Sequence, residues 1–134
     1  MGLLDAFEKK KSELTDEQKK WNKIWELWSA GSAESPYAER MTYQIEIYDG
    51  GHVQYFTDVE NTGELQKEMS ALETILSAKL KQNLQRAYHA YLVLEEKARD
   101  ADAEKTMEEC DNAFYENEEE HNHTLEKYAA EIEL

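Results

Sequence analysis

The sequence predicts an all-α domain of about five to six helices over residues 16–134, and two observations carry that prediction everywhere but residues 42–57. Apolar residues recur at i, i+3, i+4 and i+7 in several separate stretches. Helix start and stop residues also fall at the edges of those stretches. The alternative is an α+β form with a hairpin over residues 42–57, where local pattern does not decide. A chain of 134 residues is one domain's length and can bury a proper core without staples.

Residues 1–15 read as a short amphipathic segment, with Leu3, Leu4 and Phe7 ahead of Lys9, Lys10 and Lys11. It is too brief for stable membrane anchoring, so docking on the core or fraying is expected. Gly2 follows Met1, but Ala6 leaves the myristoylation pattern incomplete. A helix from about Asp16 to Ala30 follows, with Thr15 and Gln18 as a capping box and Gly31 as the stop. Trp21, Ile24, Trp25 and Trp28 form its stripe, which reads as core because tryptophans dominate packing.

Ser35-Pro36 predicts the next start, with Ser35 as N-cap and proline at the first helical position. Tyr37, Met41, Ile45 and Tyr48 then keep helical spacing, yet residues 42–48 also alternate. Asp49-Gly50 would serve a hairpin into residues 51–56, and the local pattern leans that way. Beyond Gly63, Leu65, Met69, Leu72 and Leu76 form one stripe. Ser77 is an N-cap for another, of Leu80, Leu84, Ala87, Tyr91 and Leu94. Residues 95–109 read as an extension or loose linker. A last helix is expected to begin between Asn112 and Asn117, with Phe114, His121, Leu125, Tyr128 and Ile132 on one face.

The net charge is −15, from 30 acids and 15 bases. That balance argues against direct contact with nucleic acid or an anionic membrane. One cysteine and no secretory or membrane-spanning signal fit a cytoplasmic protein. The acidity is uneven. Residues 31–62 carry six acids and Arg40 alone, and residues 100–134 carry thirteen acids against Lys105 and Lys127. Because apolar residues are interleaved through that last stretch at a helical period, its charge belongs to a docked helix.

No reaction is legible. Glu118 and His121 have the Glu-x-x-His spacing of a metal bundle, but no second pair exists outside residues 118–123 to face them from another helix. His121 and His123 point to different helix faces, so a metal would also need His52 or His89. Cys110 reads as a small apolar filler. Phosphate loops, nucleophile elbows and metalloprotease strings are absent. No enzyme, no cofactor and no metal site are expected.

Gly50, Gly51, His52, Gln54, Tyr55, Phe56 and Asn61, with Glu46 before them, form a string that resembles a bacterial family of small helical proteins. That family is named for a DNA-mimic protein. The similarity extends over roughly residues 35–132. Asp49 departs from the usual Asn, and Ile45, Ile47 and Tyr48 make the preceding segment more strand-like than is usual. The resemblance implies two helices, 36–48 and about 51–59, joined at Gly50-Gly51, and therefore an all-α fold. It also implies recognition by mimicry, since the named member occupies a transcription factor and keeps it off its operator. Gln54 and Asn61 are expected to bond backbone left open at helix ends.

The function expected is thus binding to a basic protein, such as a DNA-binding transcription factor. An acidic interaction or immunity-type protein with another basic partner is the alternative, and a metal-dependent enzyme the third. The carboxylates expected to carry binding are Glu116, Glu118, Glu119, Glu120 and Glu126, then Asp100, Asp102, Glu104, Glu108 and Glu109. One straight helix over residues 100–134 would span about 52 Å, roughly one charge per 5 Å. A single DNA strand carries about one per 3.4 Å. A neighbouring acidic helix or a homodimer would close that gap.

Overall fold

The computed structural model describes residues 14–134. Residues 1–13, most of the expected amphipathic segment, lie outside the described residues. Six helices follow in order: α1 (Asp16–Ser29), α2 (Tyr37–Asn61), α3 (Leu65–Ile75), α4 (Ala78–Glu96), α5 (Ala101–Glu116) and α6 (Glu118–Ala130). The described residues contain no strand, so the hairpin alternative over 42–57 is excluded.

Local chemistry explains most of the ends. Thr15 caps α1 reciprocally with Gln18, at 3.1 and 2.9 Å, and Gly31 follows its C-terminus with φ 74°. Ser77 caps α4 through Leu80 N–H at 3.3 Å. The start of α2 differs from expectation: Pro36 is the cap residue and no side chain caps it. Ser35 instead donates its hydroxyl to the first-turn Glu39 at 2.9 Å.

Residues 95–109 are no linker. Asp100 caps α5 by accepting from Ala103 N–H at 2.9 Å, and Ala103, Met107, Cys110 and Phe114 bury one face of it. The expected last helix is α6, which starts at Glu118, and Phe114, expected on its face, belongs to α5 instead.

Helix α2 is the hub, touching α3, α4, α5 and α6. It bends at Gly50 (φ −155°, ψ 17°) and Gly51 (φ 77°, ψ −173°), where its helical backbone is broken. Helices α4 and α5 pack along their length and run antiparallel, with Asn83 donating to the Cys110 carbonyl and Arg86 meeting Glu109 further along.

Two apolar clusters result. The larger joins α2 to α5 through Tyr43, Ile47, Tyr55, Phe56, Leu84 and Phe114, among others. The smaller joins α1, α6 and the start of α2 through Ile24, Met41, Leu125 and Tyr128. The tryptophan stripe belongs to this second cluster, but only Ile24 is fully buried. Trp21, Trp25 and Trp28 form its half-buried outer wall, edge to face at 6.1 and 6.0 Å.

Candidate partner-binding surface

The corner between α5 and α6 holds most of the expected carboxylates. Asn117 ends one helix and begins the next, and its amide donates to the Ala113 carbonyl at 2.6 Å. No side-chain hydrogen bond caps α6. Glu118, Glu119 and Glu120 fill its first turn instead. Carboxylates there are favoured by the helix dipole, so part of this charge serves the helix itself. Glu116, Glu118 and Glu119 are exposed and Glu120 half-buried. None of the four forms an ion pair among the described residues.

Glu126 is not part of this group. It lies about 10 Å further along α6 from Glu119. There it lines a cleft of about 730 Å³ against α1, together with Trp21 and Lys20. The second-choice residues are also dispersed or compensated. Asp100 is spent on the α5 cap. Asp100 and Asp102 line a cleft of about 540 Å³ shared with Arg86 and His89, and Glu109 pairs with Arg86 at 3.2 Å. Asp102, Glu104 and Glu108 are exposed on α5.

Beneath the corner sits a buried polar pair that the sequence did not reveal. Arg40, the lone base of residues 31–62, is 1% exposed. Its Nη2 donates to His121 Nδ1, while His121 Nε2 donates to the Phe114 carbonyl at 2.8 Å. Burial, and then the adjacent guanidinium, lowers the His121 pKa to about 4. Burial likewise lowers that of Arg40 to about 10, which leaves it charged. With both ring nitrogens engaged, His121 has no lone pair for a metal. No group of three or more metal-ligating side chains occurs among the described residues.

The glycine motif builds the other side of the same corner. A Cβ on Gly51 would lie 2.5 Å from Asp111 Oδ2, and its φ of 77° already favours glycine. That close approach lets Asp111 Oδ1 accept both the His52 backbone N–H at 2.8 Å and His52 Nδ1–H at 2.6 Å. Tyr43 then donates its hydroxyl to His52 Nε2 at 2.6 Å. Tyr43 and His52 are fully buried, so this line holds α2 to α5 and meets solvent only at its Asp111 end. Tyr55 and Phe56 are core.

Gln54 does not bond backbone as expected. Its amide donates to Glu46 at 3.0 Å and Asp49 at 2.6 Å, bridging carboxylates across the bend. Burial raises the pKa of Glu46, opposed by the Gln54 bond and reinforced by Asp58. Nor does Asn61 close its helix end. Thr62 does so, donating to the Val59 carbonyl at 2.6 Å. Cys110 is buried in the core, and burial pushes its thiol pKa up.

No described helix is long and apolar enough to cross a membrane. Neither curated proteins nor solved structures yield a match to the chain. The family model described as DMP19-like protein matches residues 40–132, which span α2 from its first turn to the end of α6 and include the glycine bend and the acidic corner. The chain belongs to the DMP19-like protein family.

Proposed function

We propose that this protein is a recognition scaffold that occupies a basic, nucleic-acid-binding protein by presenting carboxylates in place of phosphates. The observation that carries this reading is the α5–α6 corner, where Glu116, Glu118 and Glu119 stand exposed without ion-pair partners among the described residues. Membership of a family named for a DNA mimic supports it. So does the folding of the acidic stretch into two shorter rods, about 24 Å for α5 and 20 Å for α6. They meet at one residue, Asn117, with Glu116, Glu118 and Glu119 on either side of it. The scaffold binds and does no covalent chemistry.

Competition tests the reading. A partner captured at low salt should lose a labelled duplex as this protein is added, and the complex should weaken steeply with salt. Glu116→Lys with Glu119→Gln should weaken capture about tenfold, with the helical signal unchanged. Glu120 is left intact because it is a carboxylate felt by the buried Arg40. Captured partners that do not bind nucleic acid would favour an acidic immunity-type role instead.

A further inference from the structure

The corner with free carboxylates also carries exposed aromatic surface. Tyr48 is 45% exposed and Tyr115 40%, and their rings lie 5.6 Å apart. Both are held in place. Tyr48 meets the buried Phe114 ring edge to face at 5.5 Å, and the Tyr115 hydroxyl donates to the Ile47 carbonyl at 3.1 Å. After burial, the strongest influence raising the Tyr48 pKa is the Glu118 carboxylate, and for Tyr115 it is Asp111. Arg40 lies under this surface bonded to His121, too buried to pair with carboxylates at the rim.

Ordered tyrosines beside unpaired carboxylates suit one cation better than another. A guanidinium is planar and weakly hydrated, so it can stack on a tyrosine ring while its N–H fork reaches a carboxylate. The compact, strongly hydrated ammonium of lysine gains mainly the second contact. Tyrosine also loses little conformational entropy on binding and is enriched at interface hot spots. Resting on the function proposed above, and deepening it, we propose that Tyr48, Tyr115 and Glu118 form the anchor for an arginine side chain of the basic partner. The surrounding acids steer the encounter, and the tyrosine pair selects arginine over lysine.

The probes are two peptides of equal length and charge, an Arg-Ser repeat and a Lys-Ser repeat, titrated into ¹⁵N-labelled protein. The arginine peptide should bind about 2- to 5-fold tighter, with its shifts centred on Tyr48, Tyr115 and Glu118. Tyr48→Ala should reduce it to the lysine level, and Tyr48→Phe should keep the preference. Far-UV circular dichroism checks that each variant is folded. Equal affinity of the two peptides would overturn the anchor, as would an arginine preference that survives Tyr48→Ala. The readout needs no DNA-binding partner. An arginine preference lost with Tyr48→Ala, alongside failed DNA competition, leaves the anchor standing and the mimic reading fallen. Successful competition with an indifferent Tyr48→Ala does the reverse.

Discussion

At the residue scale, Gly51 ties the family string to the interior. Its positive φ and the 2.5 Å approach of Asp111 to any added Cβ act at the same atom. Alanine there must meet both the backbone penalty and the displacement of a carboxylate that satisfies two His52 N–H groups. Gly51→Ala should therefore lower unfolding free energy by about 2 kcal/mol or more, read by urea denaturation. Gly31→Ala is the control. It also has positive φ but nothing within 4 Å of an added Cβ, so it should cost only about 1 kcal/mol. The helix junction at Gly50-Gly51 is what the family resemblance implies, whereas the local pattern leans to a hairpin there. The partner of that junction is legible in neither. Asp111 lies 59 residues away from His52, and nothing local in either segment announces the contact.

At the element scale, the seam between α2, α5 and α6 is closed by Arg40, His121 and the Phe114 carbonyl. His121 also stacks on the Phe114 ring at 3.8 Å. Its folded pKa of about 4 lies below its ordinary value of 6.5, so between those limits the unfolded chain binds more protons than the folded one. Stability should be intact above pH 6.5 and fall as pH drops toward 4, by up to about 3 kcal/mol from this group. Carboxylates titrate near the lower edge of that window, so the comparison is with His121→Gln. The variant should be less stable at neutral pH and show a shallower loss from pH 6.5 to 5. An unchanged slope would remove His121 from the account. Helix existence was largely readable in the sequence, and α1, α3 and α4 lie where stripes and caps put them. Helix α5 was missed because its stripe of Ala103, Met107, Cys110 and Phe114 is thin and its other faces are charged. The i, i+4, i+7, i+11 spacing behind the Asp100 cap was the signal. The bend of α2 had two readings locally, since β-branched Ile45 and Ile47 suit a strand. Packing against four other helices decides for a helix.

At the scale of the whole molecule, the net charge is −15, and the described residues compensate little of it. Among the described residues, only Lys23–Glu26, Lys67–Glu64 and Arg86–Glu109 pair a lysine or arginine with an acid, and all three are surface pairs. Surface pairs of this kind contribute little, so unscreened repulsion between carboxylates works against the compact state. The sequence stated this total but not its placement, because burial of Arg40 and the fold at Asn117 are consequences of tertiary packing. Raising salt from about 0.01 to 0.15 M shortens the screening length from about 30 to 8 Å. The isolated protein should then melt a few degrees higher, the shift that about 1 kcal/mol produces at this length. The same change should weaken the complex with a basic partner. Opposite signs in the two measurements mean that one set of carboxylates strains the free scaffold and binds the partner. Melting by circular dichroism and capture across the same salt series check it, and a melting temperature that falls with added salt would mean the carboxylates are already compensated within the fold.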